Sequence, residues 1–221
     1  MSAITPLEPP QNLTQLAYQK IKGYILSEDL DEETRLTEDA LSRQLGISKS
    51  PVREALNSLH TEGLIRIEAR RGAYLRRFSL KEVQNLYELR EVLELYAVGA
   101  VQLSSKLLAE LRDSVQRTRR MLKANDLQGH IEEDTRFHAL IASATDNAEL
   151  CRVLSNIQNQ LWLCRRKTYR LSASTAPDAH GAILEALEQG DLRKAQDAMR
   201  KHVVLVRERL LNFIQTERDS G

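Results

Sequence analysis

Residues 48–65 read S-K-S-P-V-R-E-A-L-N-S-L-H-T-E-G-L-I. Ser50 before Pro51 suits a helix start: serine caps the end, and proline, which lacks an N–H, takes the first helical position. Val52, Leu56 and Leu59 then recur on one face until Gly63 stops the run. Upstream, Thr37 stands as the N-cap of a second short helix. Glu38 and Asp39 sit favourably in its first turn, and Gly46 ends it. Leu45-Gly46-Ile47-Ser48 forms the turn between the two helices. Downstream, Leu64-Ile65-Arg66-Ile67 and Ala73-Tyr74-Leu75 alternate as strands around Arg70-Arg71-Gly72, a hairpin with a glycine turn. An earlier helix opens at Asn12, with Gln15 as capping-box partner and Leu13, Ala17, Ile21, Tyr24 and Ile25 on its apolar face. Two short helices followed by a hairpin make a helix-turn-helix with a wing.

Such a unit places the start of its second short helix in the major groove of DNA. Lys49, Ser50 and Arg53 occupy that start. Arg53 can fork onto guanine O6 and N7, the commonest specific contact in the groove, and Lys49 adds a point charge. Arg35, Arg70 and Arg71 suit phosphates or the minor groove. Residues 49–77 hold seven basic side chains against three acidic ones, while the whole chain carries a formal charge of only +1. The excess is therefore local to the motif. One helix-turn-helix covers a half-site, so the expected partner is double-stranded DNA with a short palindrome, bound by a homodimer.

From the capping box Ser79-Leu80-Lys81-Glu82 onward, every segment reads helical. Helices are expected over 80–103, 106–124, 127–144, 148–171, 176–189 and 192–216, punctuated by Asn125, Asp146-Asn147 and Gly190-Asp191. The fold class is mainly α: an N-terminal winged helix-turn-helix and a C-terminal antiparallel six-helix bundle. The domains are a flexible arm over 1–11, a DNA-binding domain over 12–78, and an effector-binding and dimerisation domain over 79–221. A content of 42% hydrophobic and 29% charged residues is ordinary for a globular chain. Cys151 and Cys164 are expected about 20 Å apart on one helix, too far for a disulfide. Met1 to Pro10 lacks the basic start and apolar run of a signal peptide, and no stretch matches a membrane span. The cytoplasm is the expected compartment, with no membrane partner.

Four side chains in the bundle carry possible chemistry. Asp134 and His138 are four apart and share one helix face; His180 precedes the apolar Ile183, Leu184 and Leu187; His202 lies in the stripe Ala195, Met199, His202, Val206. Three histidines and a carboxylate turned inward make a plausible divalent-metal set, although any one histidine alone reads more readily as a satisfied core residue. His60 and His130 carry no such pattern, and His130 is expected at the surface.

The motif over 48–65, with Arg35-Leu36-Thr37-Glu38 before it and Arg70-Arg71-Gly72-Ala73 after it, resembles the GntR family of bacterial transcription regulators. The resemblance implies DNA contacts at Arg35, Lys49 and Arg53 and a minor-groove approach at Gly72. Asp134-Thr135-Arg136-Phe137-His138, His180-Gly181-Ala182-Ile183-Leu184 and Ala198-Met199-Arg200-Lys201-His202 resemble the all-helical ligand-binding domain of the FadR subfamily. In metal-binding members those Asp and His positions ligate one ion, which implies a divalent cofactor here: zinc first, with nickel, manganese or iron as alternatives. Arg90 matches a family arginine that faces the pocket, where its guanidinium would fork onto a small organic acid effector. Its other reading is a surface salt bridge with Glu91 or Glu94. Trp162, Arg165 and Tyr169 share a helix face and are effector-lining candidates, or simply packing. The function implied is a DNA-binding regulator, not an enzyme, controlled by a carboxylate effector at a metal centre. A regulator whose signal is the ion itself, or more remotely a metal-dependent hydrolase, is the alternative.

Overall fold

The computed structural model describes residues 12–27, 30, 33–69, 71–165 and 175–219. The arm over 1–11, Arg70, Tyr169 and the side chain of Arg165 lie outside the described residues. The chain divides into two compact units, Met1–Arg77 and Phe78–Gly221.

The first unit holds α1 (Leu13–Ser27), α2 (Glu38–Leu45), α3 (Lys49–Thr61), β1 (Ile65–Glu68) and β2 (Gly72–Leu75). Ala17, Ile21 and Ile25 of α1 and Val52, Ala55, Leu56 and Leu59 of α3 are buried where these helices pack together. Leu13 and Tyr24, expected on that buried face, are exposed instead. The Thr37 hydroxyl accepts from Ala40 N–H at 3.2 Å, and Gly46 closes α2 at φ 66°. Helix α3 starts earlier than the Ser50-Pro51 pair suggested. Its N-cap is Ser48, and Ser50 and Pro51 lie in the first turn, where a missing N–H removes no helical bond. The strands pair antiparallel from Ile65 with Leu75 to Glu68 with Gly72. Leu36 adds a further rung, exchanging two backbone hydrogen bonds with Ala73 at 2.8 and 2.9 Å.

The second unit is α4 (Leu80–Ala100), α5 (Ser105–Lys123), α6 (Leu127–Ser143), α7 (Ala148–Arg165), α8 (Ala176–Glu188) and α9 (Leu192–Asp219). Ser79 and Glu82 form both halves of the expected capping box. Asn125 and Asp146, both at φ 55°, turn the chain out of helix where the sequence is punctuated. Helix α9 packs on α4 and α8, α5 on α6 and α8, and α7 on α4 and α6. Tyr87, Leu111, Phe137, Ile141, Leu161, Ile183 and Met199 form part of the shared apolar core. Helix α4 ends short of residue 103 because Val101 turns extended and Gln102 N–H bonds to Ala144 O at 2.8 Å. Among the described residues the fold is nine helices and one two-stranded wing, and no helix is long and apolar enough to cross a membrane.

Candidate functional site

Lys49, Ser50 and Arg53 are all exposed at the N-terminal end of α3. Neither cation is unpartnered. Arg53 donates from Nε to Glu38 Oε1 and from Nη2 to Glu38 Oε2, both at 2.8 Å, and Lys49 pairs with Asp39. The hydrogen bond from Arg53 holds the Glu38 carboxyl below its usual range, and Lys49 does the same for Asp39. Arg71 projects into solvent, with Nη1 3.6 Å from Glu68. Gly72 sits at φ 110°, and a Cβ there would come within 3.1 Å of Leu36 O and 3.3 Å of Arg35 Nε. The glycine thus lets the wing close against the Leu36 rung. Leu36, Glu38, Arg53 and Gly72 share one pocket of about 180 Å³.

In the second unit, Asp134 and His138 lie one turn apart on α6, His180 on α8 and His202 on α9. One donor atom from each comes within 4.8 Å of the others, and all four residues are buried. His138 Nε2 is 3.2 Å from His202 Nε2, and His180 Nε2 is 3.5 Å from Asp134 Oδ1. That last approach lacks hydrogen-bond geometry, so both ring nitrogens of buried His180 are without a hydrogen-bond partner. Phe137 stacks on the His180 ring, centroids 4.1 Å apart and planes 4° from parallel, and so fixes its orientation.

Helix α4 supplies the surroundings. Arg90 is 1% exposed, donates from Nε to Glu94 Oε1 at 3.0 Å, and places Nη2 2.9 Å from His138 Nε2. Glu94 Oε2 lies 2.8 Å from His138 Nδ1. A proton on Nδ1 satisfies both contacts: Nδ1–H donates to Glu94 and the Nε2 lone pair accepts from Arg90, so an ion bound at Nε2 would take that lone pair in place of the arginine. Arg90 Nη1 is buried without a partner. The salt bridge to Glu94 given as the other reading of Arg90 is present, but it is buried and not at the surface, and it lies against His138. Glu91 turns the other way, toward Arg200 and Arg207.

Burial pushes His180 down to about 3, against the pull of Asp134, and holds His202 well below the ordinary imidazole value. Burial alone would raise Glu94, but His138 and Arg90 outweigh it and bring it down to about 2. His180 and His202 are thus neutral donors, and Glu94 is an ionised carboxylate beside them. Buried polar atoms without partners are costly, and a cation at the convergence point would satisfy several at once. The donor set fits one divalent ion of the kind that prefers nitrogen and oxygen. His202 also lines a groove of about 690 Å³ between α8 and α9.

Two residues escaped the sequence reading. Glu94, named only as a possible salt-bridge partner, joins Arg90 to His138. His130 is fully buried, not at the surface; it stands one turn before Asp134, a spacing that could have signalled the inward face. Trp162 packs on Ile131 beside Leu122, in a small cluster outside the main core.

The family described as bacterial regulatory proteins, gntR family, matches residues 13–75, and the FCD domain family matches residues 85–205. The chain is similar to an HTH-type transcriptional regulator in an unstable DNA locus of Streptomyces ambofaciens, 29% identical over 84% of this chain and 80% of that protein. It is also similar to the HTH-type transcriptional repressor RspR of Escherichia coli K12, 26% identical over 99% of this chain and 98% of the relative. The fold resembles that of Escherichia coli McbR/YncC, with a TM-score of 0.82, 19% identity, and coverage of 91% of this chain and 98% of the other. These relatives and families are transcription regulators, not enzymes. A winged unit within a GntR match and a helical unit within an FCD match leave one assignment: the chain belongs to the GntR family of DNA-binding transcription regulators and carries a C-terminal FCD effector-binding domain.

Proposed function

We propose that this regulator holds one divalent ion on Asp134, His138, His180 and His202, and that a small organic acid bound beside it controls operator affinity. The observation that carries the proposal is the convergence of four buried donors within 4.8 Å, one of them a histidine with neither nitrogen hydrogen-bonded. Zinc is the first candidate, with nickel, manganese or iron as alternatives for the same donors. When bound, such an ion supplies positive charge that offsets Asp134 and attracts an anion. Arg90 contributes the second half of an acid site, because Nη1 is buried without a partner and a guanidinium suits a carboxylate. Trp162, Arg165 and Tyr169 remain lining candidates on the sequence pattern alone.

The DNA is read as a palindrome by a homodimer in the cytoplasm, Arg53 and Lys49 facing bases with Ser50, and Arg35, Arg70, Arg71 and Gly72 facing the backbone or minor groove. Repression is the proposed sign, in line with the name of the relative RspR. Elemental analysis of purified protein, together with operator titration, tests the core of the reading. One equivalent of metal is expected, and His138→Ala or His202→Ala should lose it together with any effector response while keeping DNA binding. Full metal occupancy after both histidines are removed would overturn the site.

A further inference from the structure

We propose that Glu38 is a specificity-determining positioning residue, gripping one edge of the Arg53 guanidinium so that the other edge meets guanine. The inference rests on the reading of Arg53 as a base contact. A guanidinium carries five N–H donors in a fixed plane. Glu38 takes Nε–H and one Nη2–H, each at 2.8 Å, through separate carboxylate oxygens. The end edge, Nη1 with the second Nη2–H, stays outward on a side chain 62% exposed. That edge has the two-donor spacing that guanine O6 and N7 accept.

The grip is itself held in place. Glu38 is the first residue of α2, directly after the N-cap Thr37. Leu36, two residues before it, is pinned to Ala73 by paired backbone hydrogen bonds. The carboxylate thus springs from backbone fixed on both sides. An exposed ion pair adds little to folding stability, so the pair acts chiefly by orienting. It limits the rotamers Arg53 would otherwise surrender on binding. Lys49 and Asp39 form a contrast within the same unit: an ammonium is a point charge, and a carboxylate beside it sets no plane.

Glu38 also places a negative charge beside the reading head, and this opposes phosphate. Its two effects have opposite signs, which makes them separable. The experiment selects bound sequences from a randomised duplex pool with wild-type protein, Arg53→Ala, Glu38→Ala, Glu38→Gln and the Glu38→Ala/Arg53→Ala double variant. Binding to an unrelated duplex and thermal melting are measured alongside. Arg53→Ala identifies the base pair that Arg53 reads. Glu38→Ala should lower the preference at that same pair by about tenfold or more, leave the other positions intact, and tighten binding to the unrelated duplex. Glu38→Gln keeps the side-chain shape and one acceptor oxygen, so it should lower the preference without lowering the melting temperature. In the Arg53→Ala background, Glu38→Ala should alter the preference nowhere. Unchanged preference in both Glu38 variants, with only uniformly tighter binding, overturns the positioning role and leaves a plain surface charge. Unchanged preference in Arg53→Ala overturns the underlying reading, and the inference with it.

Discussion

Glu94 accepts from Arg90 Nε with one oxygen and faces His138 Nδ1 with the other. It therefore sets the tautomer of a candidate ligand and the plane of the arginine beside it. Glu94→Gln keeps the volume but loses the charge and one acceptor. The amide nitrogen cannot accept from whichever donor it faces, so either His138 or Arg90 is released. Loss of an outer partner of this kind costs about 10–100-fold in metal affinity. Competition with a chelator of known affinity should show a weakening of that size, with the helical circular dichroism spectrum unchanged. Wild-type affinity in this variant would mean that His138 needs no orienting partner, and Glu94 would revert to a buried counter-ion for Arg90.

At the scale of the element, α4 presents two distinct sides. Val83, Tyr87, Arg90, Glu94 and Ala97 form its buried face. Leu89, Val92 and Tyr96 form a second stripe, exposed by 46%, 64% and 54%. A helix on the surface of one chain usually keeps its outer face polar. The palindromic operator proposed above would need two copies, and a second copy of this chain is the occupant we propose for that stripe. Tyr96→Glu would place a charge at the centre of a self-complementary contact. Sedimentation should show dimer for the wild type and monomer for the variant, with helix content preserved; a dimer unaffected by Tyr96→Glu and Val92→Glu alike would move the interface elsewhere. The helices themselves were legible because their ends carry local signals: the Thr37 and Ser79 caps, and the left-handed residues Asn125, Asp146 and Gly190. The α3 start was misread because Ser48 and Ser50 are both competent caps and proline is tolerated in a first turn. The Leu36–Ala73 rung and the Arg53–Glu38 fork were not legible. Both depend on packing between segments, and periodicity reports only that a face exists.

For the whole molecule, the question is how a ligand at Arg90 could reach DNA affinity. The chain runs from β2 through Phe78 and Ser79 into α4, so the helix that carries Arg90, Glu94 and the exposed stripe continues directly from the wing. An acid drawing on Arg90, as proposed, would act on the helix that carries the proposed dimer contact and follows the domain connection. Control requires the acid to have different affinities for DNA-competent and DNA-incompetent arrangements; tight binding alone shifts nothing. A typical coupling is about 1–3 kcal/mol, or about 5–150-fold in operator affinity. A thermal-shift screen of sugar acids, hydroxy acids and fatty acyl derivatives should supply a binder. Operator titration with and without that acid then measures the coupling, and titration of the acid with and without operator must return the same factor. Arg90→Ala should keep the metal and much of the DNA affinity but abolish the factor. Its melting temperature should also fall, because Glu94 loses a buried partner. Metal-stripped wild-type protein should lose the factor as well. If either protein still gives the full wild-type response, the effector acts elsewhere, and the Arg90 cluster is a structural ion site alone.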